Sequence, residues 1–293
     1  MAISHRVILD TDIGSDVDDA LALAQLLGTP SVDLVGVTTV YGDTLLRAQL
    51  ASRIAATAGR RVSVHAGRRE TLSGSPVWWA GHEGALHRDL DREPVEEQDA
   101  VAFLVEQVLA QPGELDVVAI GPLTNIASAI TAHPEFAGAV RHLCAMGGNF
   151  GSDEPEHNVR SDVDAARTVF ASGIPTTVSG LEVTTRVQID RARLDRIAAA
   201  DELGALLLAE IKEWWRYTGA EWNVPHDPVA VLTLTEPAHF GFSEPGRVTV
   251  DADGRTLFAE GGGNTRIVRT LDTEVVPDRI VTAILTAGGE GPE

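Results

Sequence analysis

Five aspartates, Asp10, Asp12, Asp16, Asp18 and Asp19, fall within ten residues near the start of the chain. Two carboxylates about 4 Å apart repel by roughly 4 kcal/mol at an effective dielectric near 20, so a cluster of them requires protonation or a cation. No lysine or arginine lies between Arg6 and Arg47 to supply that charge. An all-oxygen donor set suits a hard divalent ion. Ca²⁺ takes many carboxylate oxygens in flexible geometry, whereas Mg²⁺ holds stricter octahedra and more water. The pattern therefore points to a calcium site. The alternative is an ordinary solvated acidic loop, and Asp18 and Asp19 alone would serve as first-turn helix residues favoured by the macrodipole.

These acids sit between Val7-Ile8-Leu9, which reads as a buried strand, and an apolar-faced helix over Ala20 to Leu27 closed by Gly28. Such a unit puts its loop at the carboxyl edge of a parallel sheet, where open α/β folds bind ligands. The alternation continues along the chain. Strands are expected over Val32 to Val40, Val62 to Gly67, Leu115 to Ile120, a segment ending at Asn149, and Ile174 to Ser179. Helices are expected over Thr44 to Ala58, Asp99 to Ala110, Val163 to Ala171, Ala192 to Tyr217 and Pro277 to Thr286. Arg247 to Val250 and Thr256 to Ala259 form a hairpin across Asp253-Gly254. The fold class is α/β, an open, mostly parallel, Rossmann-like sheet flanked by helices with a small C-terminal β-hairpin. Without repeat or linker, residues 1–293 read as a single domain.

The long stretch to Glu97 has no clear period and carries Trp78, Trp79, His82 and His87. It reads as a lid or binding loop, its tryptophans either packing that loop down or stacking a base. Trp214 and Trp215, on a helical aromatic stripe, read as core. A formal charge of −20 and a pI near 4.7 argue against a nucleic-acid or anionic-membrane partner. Cys144, in an apolar run, reads as a buried strand thiol. With no signal-peptide core and no bilayer-length apolar run, a cytoplasmic protein is expected, its final GGEGPE disordered.

Asp10-Thr11-Asp12-Ile13-Gly14 followed by Asp18-Asp19 resembles the signature of the nucleoside hydrolase family, of the inosine-uridine preferring, calcium-dependent type. Leu123-Thr124-Asn125-Ile126-Ala127, Met146-Gly147-Gly148 with Glu156-His157-Asn158, and His226-Asp227 are similar to its other motifs. The resemblance implies hydrolysis of ribonucleosides to ribose and free base by calcium-positioned water. It assigns the metal to Asp12, Asp19, the Thr124 carbonyl and Asp227, and catalysis to Asp12 as base with His226 at the leaving group. Ribose falls to Asp18, Asp43, Met146, Asn149, Glu156 and Asn158, and the base to His82 and Trp222. Asp10 would support the ligands. The chain departs from the commonest pattern in three places: extra residues including Asp16 precede the Asp pair, Asp43 stands where asparagine is common, and His157 replaces an aromatic residue. On pattern alone, Asp43 is equally readable as a helix cap, and without the family match Asp227 would be read as one. A homodimer or homotetramer is implied. Two rivals remain: a haloacid dehalogenase-type phosphatase, which also needs a cationic phosphate clamp, and a non-catalytic calcium-dependent nucleoside or sugar binder.

Overall fold

Val7, Ile8 and Leu9 are fully buried, and they form an interior strand of the sheet. Their side chains alternate across it: Val7 and Leu9 join the core on one face, Ile8 the core on the other. A sheet covered on both faces calls for continuous apolar runs of this kind. The computed structural model describes residues 4–289, so residues 290–293 of the expected disordered tail lie outside the described residues.

In chain order the first half comprises β1 (His5–Thr11), α1 (Asp18–Leu27), β2 (Val32–Thr39), α2 (Thr44–Thr57), β3 (Val64–Ala66), α3 (Ala100–Ala110), β4 (Leu115–Ala119), α4 (Thr124–Ala132), α5 (Phe136–Ala139) and β5 (His142–Met146). The second half comprises α6 (His157–Ser161), α7 (Val163–Ala171), β6 (Thr176–Ser179), α8 (Leu181–Thr184), α9 (Arg191–Ala198), α10 (Glu202–Thr218), α11 (His226–Thr235), β7 (Phe240–Phe242), β8 (Gly246–Val250), β9 (Thr256–Glu260), β10 (Thr265–Leu271) and α12 (Val275–Ala287). The strands make one sheet in the order β3-β2-β1-β4-β5-β6-β10-β8-β9, with β7 against β10. Neighbours from β3 to β10 pair in parallel. The pairings of β8 with β10, β8 with β9 and β7 with β10 are antiparallel. The open, mostly parallel sheet and the terminal hairpin match the expectation.

Strand order reverses between β1 and β4, which lie side by side. At such a switch point the following connections diverge and leave a crevice at the carboxyl ends of the strands. Asp12 follows β1 there, and Gly121 follows β4.

Three differences from the sequence reading have physical causes. β10, a central strand, was not anticipated. Its exposed Arg266, Arg269 and Thr270 interrupt the apolar signal of buried Ile267 and Val268. The helical run from Ala192 breaks into α9 and α10, because the Asp201 side chain accepts from Gly204 N and starts a new helix. The loop before Ser161 contains α6, opened by the Glu156 carboxylate accepting from Asn158 N and Val159 N. Cys144 is buried in β5, and burial pushes its thiol up to about 12, as suits an inert core residue. Among the described residues no helix is long and apolar enough to cross a membrane.

Gly28 closes α1 where it meets α12, and a Cβ there would lie 1.9 Å from the Ala283 carbonyl oxygen and 2.8 Å from Ala287 N. Gly28→Ala is therefore expected to destabilise the protein by about 1–3 kcal/mol, read as a lower urea midpoint. An unchanged midpoint would contradict this close packing.

Candidate active site

The crevice holds a cavity of about 280 Å³. The segment after β1 supplies Asp12 and Asp16, and the first turn of α1 supplies Asp18 and Asp19. Ile120 comes from the end of β4 and Met146 from the end of β5. Glu156, His157 and Asn158 come from the start of α6, and His226 and Asp227 from the start of α11. Trp78, Trp214 and Leu181 complete the wall.

Carboxylate oxygens of Asp18, Asp19 and Asp227 lie within 4.8 Å of one another, and all three residues are buried. Asp18 Oδ2 also accepts from Asp227 N at 3.3 Å, which ties α1 to α11. Thr11 Oγ1 donates to Asp19 Oδ1. Burial first, and neighbouring carboxylates second, hold all three acids well above the usual carboxylate range. The charge of Asp12 contributes to each of these shifts, so it belongs to the same electrostatic unit. Burial also pushes Asp16 up to about 7. Asp10 is likewise raised to about 7 by burial, against the pull of Asn125 Nδ2 at 2.7 Å and Thr38 Oγ1 at 2.6 Å. Buried, converging carboxylates with no arginine or lysine among the described residues lining the cavity are the donor set of a hard divalent cation.

On the opposite wall, Glu156 Oε2 accepts from Gly148 N and Val159 N, both at 3.0 Å. Each carboxylate oxygen keeps further acceptor capacity. Asn158 Nδ2 donates to the carbonyls of Ile120 at 2.8 Å and Met146 at 3.2 Å. Carbonyls only accept, so the amide is oriented and Oδ1 remains for a ligand. His226 Nδ1 bonds Thr184 Oγ1 at 2.7 Å, and burial lowers the ring to about 4.

Of the residues singled out in the sequence, the structure brings Asp12, Asp18, Asp19, Met146, Glu156, Asn158, His226 and Asp227 to this cavity. Others lie elsewhere. Asp43 caps α2, its Oδ1 accepting from Leu46 N at 3.3 Å. Asn149 turns its side chain onto Gly151 N, Ser152 N and Ser152 Oγ. Trp222 is 52% exposed. His82 stands behind the wall, its Nε2 donating to the Ser15 carbonyl at 2.8 Å and its ring against Trp214 and Tyr217. Thr124 is buried at the start of α4, its hydroxyl donating to Asp162 and its carbonyl accepting from Ser128 Oγ. Of the tryptophan pair, Trp78 lines the cavity while Trp79 packs over the Arg47 guanidinium, 4.8 Å from the ring centroid. Trp214 and Trp215 are half-buried and pack against the core as expected, and Trp214 also lines the cavity.

Arg47 was missed. Fully buried, it donates to the carbonyls of Asp12, Ile13 and Tyr41 and to Ser15 Oγ. Its charge draws Asp19 back toward ionisation. Ser15 Oγ in turn donates to Glu83, which also accepts from Ala80 N and Gly81 N. One guanidinium thus holds the acidic loop and, through Ser15 and Trp79, the tryptophan segment. Arg47 belongs to no motif, and although it shares the buried face of α2 with Leu50, Ala51 and Ile54, its partners lie in a loop more than thirty residues away.

The family model for inosine-uridine preferring nucleoside hydrolase matches residues 7–278. Over 274 residues the chain is 34% identical to a probable uridine nucleosidase 2 of Oryza sativa subsp. japonica, covering 85% of this chain and 79% of that protein. It is 28% identical over 297 residues to a pyrimidine-specific ribonucleoside hydrolase of Shigella flexneri, covering 92% of this chain and 94% of the relative. Among solved structures, a plant nucleoside hydrolase superposes with a TM-score of 0.86 at 26% identity, over 96% of this chain and 98% of that one. A purine-preferring ribonucleoside hydrolase from Gardnerella vaginalis gives 0.85 at 25% identity, over 97% and 99%.

The raised carboxyls set a pH dependence. Without a cation the native protein keeps protons that the unfolded chain releases above about pH 4, so its stability falls as pH rises through about 7 and beyond. The melting temperature of chelated protein should therefore drop between pH 5 and pH 8. A divalent cation at a hundred times its dissociation constant should restore roughly 5 °C or more at pH 8, and less at pH 5. A melting temperature at pH 8 that ignores both chelator and cation would contradict this reading of the cluster.

Proposed function

The chain belongs to the inosine-uridine preferring nucleoside hydrolase family, and from that premise we propose that it hydrolyses the N-glycosidic bond of ribonucleosides to give ribose and free base. One observation carries the reading. Aspartates from opposite ends of the chain converge on a cavity whose far wall presents Glu156 and Asn158. The single sheet running from β1 to β10 supports treating the whole chain as one domain.

Calcium is the proposed resident cation, held by Asp12, Asp18, Asp19 and Asp227, with the Thr124 carbonyl as the family resemblance implies. When bound, it supplies a positive centre around which water and sugar hydroxyl oxygens can gather. The chain's own residues do the rest. Asp12 takes a proton from the attacking water, the role that the family resemblance implies. Asp18, Glu156 and Asn158 accept from ribose hydroxyls and fix the ring. Charge that develops on the departing base, as the sugar becomes oxocarbenium-like, meets the His226 ring. Trp78 and Trp214 exclude water beside the base. His82, held behind this wall on the Ser15 carbonyl, and Asp43, Asn149 and Trp222 take part only if their segments rearrange over bound substrate. A cytoplasmic homodimer or homotetramer is part of the same proposal, resting on the family resemblance.

A phosphatase would need a cation facing the ligand. Arg47 is instead committed to carbonyls beneath the loop, and the cavity wall is acidic.

Asp12→Asn should lower kcat on inosine and uridine by about 10²-fold or more while leaving the fold intact by circular dichroism. Near-normal turnover by that variant would remove Asp12 as base. Because buried acceptors on the Glu156 wall would lose their partner, 2′-deoxyribonucleosides should be poorer substrates by up to about 10⁴ in kcat/KM. Equal kcat/KM for uridine and 2′-deoxyuridine would contradict the assignment of that wall to the sugar.

A further inference from the structure

Thr184, the last residue of α8, is fully buried and takes part in none of the motifs that mark the site. Its neighbour Thr185 makes the bond expected of a helical threonine, Oγ1 donating to the Leu181 carbonyl four residues back at 2.7 Å. Thr184 does not. Its backbone N–H already serves the Gly180 carbonyl, and its Oγ1 points across to α11, 2.7 Å from His226 Nδ1.

The hydrogens on this pair can be counted. The structure gives the Thr184 hydroxyl one partner, His226 Nδ1. Were Nδ1 protonated, it would donate to Oγ1, and the hydroxyl hydrogen would be buried with no acceptor, which costs more than the bond gains. The satisfied arrangement has Thr184 O–H donating to an unprotonated Nδ1. A neutral ring then carries its single proton on Nε2, on the edge away from α8, and the residue lines the cavity.

We propose that Thr184 is a positioning residue that fixes His226 as its Nε2–H tautomer, so that the ring presents a hydrogen-bond donor to the leaving base. This rests on the N-ribohydrolase reading above. The bond from C1′ to the base nitrogen breaks with its electron pair going to the base, and Nε2–H donates to an acceptor atom of that base without giving up its proton. The oxygen of water bonds to C1′, and the proton that completes the free base comes from solvent. The preferred substrates are therefore nucleosides whose base has an acceptor beside the scissile nitrogen, as the O2 of a pyrimidine or the N3 of a purine provides.

The test compares two leaving groups in the calcium-loaded enzyme. Thr184→Val keeps the side-chain shape and removes the hydroxyl, and Thr184→Ser keeps the hydroxyl. p-Nitrophenyl β-D-ribofuranoside releases a phenolate that is stable without a donor. Thr184→Val should lower kcat on inosine or uridine by about 10- to 100-fold with little change in KM, and leave the aryl riboside within about threefold of wild type. Thr184→Ser should behave as wild type on both. Equal losses on both substrates, no loss on either, or a serine variant as impaired as valine would overturn the proposal. Long-range ¹⁵N correlation spectra of the histidine-labelled wild-type protein read the tautomer without any variant. A His226 proton on Nδ1 overturns the proposal, and one on Nε2 supports it. If the wild type released base from no nucleoside, the functional reading would fail while the spectra still decided the tautomer.

Discussion

Burying Asp18, Asp19 and Asp227 side by side, with Asp12 on the same cavity, is unfavourable for the polypeptide by itself. Each carboxylate loses hydration and gains like-charged neighbours, and all three of the clustered acids are driven toward protonation as a result. A fold keeps such an arrangement only if surrounding structure over-determines it. Here α1 and α11 each present acids in their first turn, and the Asp227 backbone N–H donates to Asp18 across the gap. Helix N-termini stabilise negative charge, so the two helix starts offset part of the repulsion, and a cation would offset the remainder.

The sheet topology brings those helix starts together. β1 sits between β2 and β4, and the reversal of strand order there opens the crevice into which Asp12, Ile120 and Met146 face. Beneath it, Arg47 binds three backbone carbonyls of the acidic segment and its flanking turn, and carries Trp79 on its face. Asp162 plays a matching part on the far side: its carboxylate takes the Thr124 hydroxyl, caps α7 and accepts from Leu72 N and Ser73 N. The long connection between β3 and α3 is thus pinned at both ends of the site by groups that also brace the acidic loop or α4. The acidic loop and the tryptophan wall form one mechanical unit.

Much of this was legible in the sequence, for identifiable reasons. Strands buried on both faces read as continuous apolar runs, and strand-turn-helix repeats point to one sheet edge, so Asp12 and Asp19 could be placed at that edge from the pattern, whereas Asp227 joined them only through the family resemblance. Residues whose role depends on distant partners were not legible. Arg47 looks like a surface residue of α2 until the Asp12 loop is laid over it. Asp43 matched a family position in register, yet its side chain is used as a helix cap. Trp78 and Trp79 are adjacent and identical in type, but one lines the cavity and the other covers a guanidinium, a difference set by tertiary packing. β10 escaped because its arginines face solvent on a strand whose inward residues are few.

The central claim is that these acids share one hard cation. A crystal structure of the protein grown with calcium, with anomalous scattering used to identify the ion, tests it most directly. The expected result is one calcium per chain at about 2.3–2.6 Å from carboxylate oxygens of Asp12, Asp19 and Asp227. Calcium bound elsewhere, with only water between those three carboxylates, would contradict it.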